Sequence, residues 1–486
     1  MFRNTRLRTL TLAALSVTAV AAGVTVLTTT RESSATPRST IAWKACTADG
    51  LAGLDCGTLK VPVDWEKPRG EKTTLAVVRR RADGPNRIGP LLLNNGGGSS
   101  PIEQLRLGLK AGLVKAPLAT RFDLIAVDPR GVGESSPISC GRPQRRAGVT
   151  YFPRTQAQFQ ALAADNADLA KQCRRLTGSL FDHLDTASSV RDFDAVREAL
   201  GAKKVTWYGI HGSTSLGRAY AQMFPHRLRG MVLDTAVDDT LDPVTRLAGE
   251  STAAETALVR WAAWCDTTAS CALKGKSSLA AFDRLVKNAD AKPIRARSLP
   301  SLTGEDVRRA AQEHLVQTLA WPRFGQAIKE ALAGNAATLA ASPDDTLSPV
   351  QAHVLNCVNT PPAAATLADL TQLSAMTRSA SPHVAGATRA YDTAAGCIGW
   401  PHRATRPASP APARTTPPAL ILQSTHQSLA AYSEGFSLAR QLPGSRVLTR
   451  EGDDYSMILF SGCVQDAFGR YLTQQKLPAP GSTCKN

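Results

Sequence analysis

The chain has 486 residues, of which 43% are hydrophobic and 20% charged, enough apolar side chain for a large core and against wholesale disorder. Its formal net charge is +17, but the basic residues are scattered, with no Lys/Arg block and few interleaved aromatics, so the pattern argues for a basic soluble surface and against a nucleic-acid partner. The length suits one large α/β domain with an insertion, or two domains.

Residues 1–35 read as an export signal. Arg3, Arg6 and Arg8 form a basic start, Leu10 to Leu27 is apolar, and Ser33-Ser34-Ala35 offers the small residues of a cleavage site after Ala35. Val20-Ala21-Ala22 is a second such site. The apolar stretch is long enough for an uncleaved anchor. Thr and Ala rather than Leu and Ile fill it, which favours cleavage and a secreted chain without stable membrane insertion. All ten cysteines lie beyond the signal, with no CxxC and no zinc-finger spacing. In an exported chain that suggests disulfides rather than a metal site. Among the connectivities ten cysteines allow, pairing of neighbours closes short loops at low entropic cost. The expected pairs are Cys46/Cys56, Cys140/Cys173, Cys265/Cys271, Cys357/Cys397 and Cys463/Cys484.

Gly57 to Pro62 and Thr73 to Arg80 read as antiparallel strands joined by the Pro/Gly-rich turn Glu66 to Gly70. Pro90 to Asn94 is a buried strand followed by a glycine-rich loop, and Phe122 to Val127 is the next strand, ending in Asp128-Pro129-Arg130-Gly131. Ser189 to Leu200 is an amphipathic helix capped by Ser188 or Ser189 and stopped by Gly201. Val205 to Tyr208 is a β-branched and aromatic strand, and Ser213 to Ala221 a helix. Between them, Gly209 and Ser213 flank His211 at two residues on either side. Strand, sharp turn with small neighbours, and helix make the nucleophile elbow of an α/β-hydrolase. Leu228 to Leu233 is a further strand with Asp234 at its end. This alternation predicts a mostly parallel sheet with helices on both faces.

Asp242 to Arg414 is Ala-rich and helical in pattern, and His402 to Pro418 is a Pro-rich connector. Ala419 to Gln423 and Arg446 to Thr449 resume the sheet. The expected organisation is a first part of the core over 36–240, a helical lid and connector over 241–415, and the rest of the core over 416–486.

With these stretches in view the chain resembles the secreted bacterial tripeptidyl aminopeptidases, serine exopeptidases with an α/β-hydrolase fold and a helical lid. The resemblance rests on CGTLKVPVDWEKP at Cys56 to Pro68, FDLIAVDPRGVGESSP at Phe122 to Pro137, the elbow, FPHRLRGMVLD at Phe224 to Asp234, PALILQ at Pro418 to Gln423 and LPAPGSTC at Leu477 to Cys484. It implies a Ser, Asp, His triad in that chain order. The positions that match are His211 for the serine, Gln427 for the acid and Tyr455 for the histidine. No His occurs from Gln427 to Asn486, so the segment that should carry the base has none. The oxyanion donors implied are the Gly212 amide and the glycine-rich loop at Gly97 and Gly98, where the family's GGPGGSG is altered.

A serine hydroxyl without a base and a carboxylate behind it is a poor nucleophile. The reading that follows is a non-catalytic family member with a cleft for a peptide or small apolar ligand, needing no cofactor. His211, Gln427 and Tyr455 would then form a neutral hydrogen-bonded network. The alternative is an active hydrolase with relocated groups, drawn from Ser213, Ser215, Ser99, Ser100 and His426. A metal held by His211, His426 and Asp453 or Asp454 fits no known ligand spacing. Asp128, Arg130 and Asp234, at strand ends, read as structural.

Overall fold

A computed structural model of the chain describes residues 40–94, 98–297, 299–341, 348–401 and 412–485. The expected signal at 1–35, Gly97 and residues 402–411 of the connector lie outside them.

Twelve strands lie among the described residues: β1 (Ala42–Ala45), β2 (Asp55–Pro62), β3 (Lys72–Arg80), β4 (Gly89–Asn94), β5 (Phe122–Val127), β6 (Val205–Ile210), β7 (Leu228–Asp234), β8 (Ile294–Ala296), β9 (Leu299–Leu302), β10 (Leu420–Ser424), β11 (Arg446–Arg450) and β12 (Thr483–Cys484). Ten form one sheet in the order β1-β2-β3-β5-β4-β6-β7-β10-β11-β12. The pairs β1/β2, β2/β3 and β3/β5 are antiparallel, and every pair from β5 onward is parallel. This is the mostly parallel sheet of an α/β-hydrolase.

Side-chain alternation builds its two faces. Val205 and Trp207 of β6 pack with Val190, Phe193 and Val196 of the helix Thr186–Ala199. Tyr208 and Ile210 point the other way, among Phe468 and Leu472 of the helix Gly462–Gln474. All six residues of β6 are buried, as a central strand covered by helices on both sides requires. The inserted helices, from Pro243–Thr267 to Arg389–Gly396, enclose a core of their own that includes Trp261, Phe282, Leu285, Val307 and Phe324.

Several expectations need correction. The stretch from Asp242 to Arg414, helical in sequence pattern, also holds two strands, β8 and β9, which pair as a short antiparallel hairpin. β1 and β12 add to the expected strands: β12 has only two residues, and β1 buries no alternating face. The helix before β6 starts at Thr186, not Ser189, and its cap is Asp185, whose carboxylate accepts from Ser188 N at 2.9 Å. Ser188 and Ser189 lie inside the helix, buried.

The five disulfides join the neighbouring cysteines: Cys46–Cys56, Cys140–Cys173, Cys265–Cys271, Cys357–Cys397 and Cys463–Cys484. Among the described residues no helix is long and apolar enough to cross a membrane.

Candidate functional site

β6 runs into the helix Gly212–Met223 through a single residue, His211, with φ 51° and ψ −120°. A non-glycine residue there is strained by about 1–3 kcal/mol, and it persists because its surroundings fix it. His211 N donates to Asp234 O at 2.9 Å, and Thr214 N donates to His211 O at 2.8 Å. A Cβ on Gly209 would lie 2.7 Å from Trp207 Nε1 and 2.8 Å from Ser213 O, so the turn closes only over glycine. The Ser213 hydroxyl donates to Asn94 O at 2.5 Å and accepts from Ile210 N at 2.7 Å, tying the elbow to the end of β4. The tight turn and raised tip of a nucleophile elbow are therefore present.

The side chain at the tip is a half-buried imidazole. Burial pushes its pKa down to about 3, and the Arg389 charge pushes the same way, so it is neutral near pH 7. Its Nε2 lies 3.5 Å from Leu429 O, and its ring is 6.3 Å from that of Tyr455.

Gln427 does not reach His211. Its Oε1 accepts from Leu429 N at 2.8 Å and Ala430 N at 3.1 Å, and its Nε2 donates to Ala430 O. The direct His211–Gln427 link of the expected neutral network is therefore replaced by an indirect one. Leu429 O faces the His211 ring while Leu429 N donates to Gln427. The Gln427 amide, with both a donor and an acceptor, folds back onto backbone groups two and three residues on, much as Asx-type side chains do. Tyr455 is brought beside His211, and its backbone N donates to Val316 O of the insertion at 3.0 Å.

Of the glycine loop, Gly98 is described and is buried. Gly98 adopts φ 92°, and a Cβ there would lie 2.7 Å from Ala352 N in the inserted helix Pro349–Asn359. Gly212 opens the elbow helix, whose first amides have no acceptor within the helix.

The hydroxyls weighed as replacement nucleophiles are hydrogen-bonded elsewhere or buried. Ser213 is fully buried. Ser215 Oγ donates to Val237 O at 3.2 Å. Ser100 Oγ donates to Asp128 at 2.7 Å while accepting from Glu103 N as a helix cap. Ser99 is buried. His426 is half-buried, its pKa lowered by burial and then by Arg260. Asp453 pairs with Arg260 at 2.9 Å, and Asp454 with Arg450 at 2.9 Å and Thr318 N at 2.7 Å. Arg130 and Asp192 form a buried ion pair at 2.6 and 2.7 Å. Asp234 accepts from Tyr208 and Thr235, and burial raises its pKa to about 6.

A polar layer over the site gave no sequence signal. Arg389 pairs with Glu313 at 2.6 Å. Gln312 donates to Glu250 at 2.8 Å and to Ser428 O at 3.0 Å, and accepts from Arg389 N at 2.9 Å. Burial would raise the Glu313 carboxyl, but the Arg389 guanidinium holds it below its ordinary value. These residues come from distant helices of the insertion, and none forms a local motif. Two cavities, of about 460 Å³ beside Tyr432 and Phe436 and about 390 Å³ beside Trp264 and Trp321, are lined by none of His211, Gln427 and Tyr455.

Comparison with known proteins bears on this geometry. The profile described as "alpha/beta hydrolase fold" matches residues 89–272, and that described as "TAP-like protein" matches 381–484. The chain is 30% identical over 472 residues to the serine protease Hip1 of Mycobacterium tuberculosis, covering 89% of this chain and 87% of that one. It is 28% identical over 475 residues to a tripeptidyl aminopeptidase of Streptomyces lividans, covering 92% and 87%. It is 28% identical over 468 residues to carboxylesterase B of Mycobacterium tuberculosis, covering 88% and 86%.

Proposed function

Since the chain belongs to the tripeptidyl-aminopeptidase-like family of α/β-hydrolases, we propose that it is an exported member that does not hydrolyse, and whose cleft binds a peptide or small apolar ligand. The observation that carries this reading is the set of side chains at the three triad-equivalent positions. At the elbow tip stands a neutral imidazole where acyl transfer needs an activated hydroxyl. At the acid position stands an amide, which carries no charge to stabilise an imidazolium and is engaged with its own loop. At the base position stands a phenol, whose ordinary pKa of about 10 makes it no general base at neutral pH. In this reading residues 241–415 act as a lid, supported by the contacts of Gln312 with Ser428 and of Val316 with Tyr455. Export is supported by the five disulfides and by the basic-then-apolar residues 1–35.

The test has two arms. Purified protein is expected to release no chromogenic group from a tripeptide anilide, while a screen of short peptides by thermal shift is expected to find at least one that raises the melting temperature. Steady anilide turnover that Ser213→Ala, Ser215→Ala or Ser99→Ala abolishes would replace this reading with a hydrolase of relocated nucleophile.

A further inference from the structure

The cavity of about 390 Å³ lies away from the elbow tip, lined by Arg260, Ala263, Trp264, Thr318, Trp321 and Asp453. Its size is that of a small-molecule site, for which roughly 300–1,000 Å³ is usual. Its apolar wall is two indoles, Trp264 and Trp321, meeting edge to face with centroids 5.5 Å apart at 66°. Trp321 is only 4% exposed, and its indole N–H has no hydrogen-bond partner among the described residues. Leu319, 77% exposed, stands in the same short segment.

The polar wall is Arg260 and Asp453, which close a two-point ion pair: Nη2 to Oδ2 at 2.9 Å and a shorter contact from Nε to Oδ1. The pair is neutral as a unit. Its remaining capacity is the Nη1 donors of Arg260, which no other hydrogen bond among the described residues uses, and the outer lone pairs of the carboxylate. A charged ligand would have to compete with this pair, whereas a neutral one with one acceptor and one donor adds to it.

We propose that this cavity is a binding site for an uncharged aryl amide, the chemistry of an aromatic residue within a peptide. The aromatic ring packs against Trp264 and Trp321 at ordinary ring–ring distances. The amide oxygen accepts from Arg260 Nη1, and the amide N–H donates to Asp453. The site goes beyond the proposed function, because it uses neither the elbow nor either substituted loop position and does not depend on whether the elbow hydrolyses.

Indole N–H resonances of the intact protein test it, since the chain has seven tryptophans and Trp264→Phe and Trp321→Phe assign the two that matter. With N-acetyl-phenylalanine amide as probe, those two signals are expected to shift saturably through the ring current of the probe. Arg260→Gln is expected to weaken the probe about tenfold, the loss of one charge-assisted hydrogen bond. Ala263→Met, at an exposed position that leaves the ion pair intact, is expected to fill the cavity and abolish saturation, and it decides the matter if Arg260→Gln does not fold. Zwitterionic phenylalanine is expected to bind more weakly than the capped amide. No saturable shift up to about 10 mM probe, saturation that survives Ala263→Met, or equal binding of N-acetyl-alanine amide would overturn the assignment.

Discussion

The elbow, from Val205 to Met223, and the loop that follows β10, residues 425–431, each carry a position that the family resemblance equates with a triad residue, and they differ in what holds their backbone. At the elbow the backbone is held by its neighbours. Gly209 packs against Trp207 and Ser213, the Ser213 hydroxyl bonds Asn94 O and Ile210 N, and the strained tip is anchored by Asp234 O. The side chain at the tip does little of this: His211 offers one long contact, at 3.5 Å. In the loop the roles are reversed. Gln427 itself holds the turn through Leu429 N, Ala430 N and Ala430 O. The backbone therefore rests less on the side chain at the tip than on the one at 427.

The harshest way to break that comparison is at the glycine. Gly209→Val places carbon against Trp207 and the backbone of Ser213, and is expected to cost more than about 3 kcal/mol, as strong overpacking does. A denaturation midpoint close to wild type would mean that the elbow does not rest on this contact.

Smaller, and more discriminating, is the contrast between the two substituted positions. Gln427→Ala leaves the buried Leu429 and Ala430 amides without their acceptor and is expected to cost about 1–3 kcal/mol. His211→Ala is expected to cost about 1 kcal/mol or less. Urea unfolding of both variants checks the order, and equal losses would remove the distinction drawn between tip and loop.

Smaller again is a pH effect. The His211 pKa of about 3 lies below the ordinary value of 6.5. Below pH 6.5 the unfolded chain takes up a proton that the folded chain refuses, so His211 withdraws stability progressively as pH falls toward 3. Asp234, raised to about 6, acts in the opposite sense: the folded carboxyl is protonated below that pH while the unfolded one stays ionised to its ordinary 3.8. His211→Gln is therefore expected to gain on wild type by about 1–2 kcal/mol between neutral pH and about pH 4.5, its partial exposure being allowed for. Asp234→Asn is expected to lose ground over the same interval. A His211→Gln difference that stays flat with pH would show the imidazole to be freely solvated.

The elbow was legible in the sequence because everything that builds it is local: a β-branched and aromatic run, a glycine, and small residues at fixed offsets. The equation of His211, Gln427 and Tyr455 with the triad came from the resemblance to the family, whose motifs match the turns that carry them. What Gln427 does was not legible, since its partners are backbone groups that only the folded turn presents. The layer of Arg389, Glu313, Gln312 and Glu250 was equally silent, because these residues lie on three helices far apart in the chain, Gln312 and Glu313 sharing one, and meet only through packing of the insertion. β12 shows the same limit: two residues at the sheet edge, placed beside β11 with Cys463–Cys484 tying the strand to the last helix.

The central claim, a hydrolase scaffold without hydrolytic chemistry, is tested most directly by a fluorophosphonate probe, which labels only an activated serine. Wild type, His211→Ser and the triple variant His211→Ser, Gln427→Asp, Tyr455→His are compared side by side after each is shown to be folded. Triad members act as a unit, so one repair recovers little. The predicted result is no label on wild type, little or none on His211→Ser, and label at residue 211 in the triple variant. Stoichiometric labelling of a serine in the wild-type protein, lost on mutating that serine, would contradict the account.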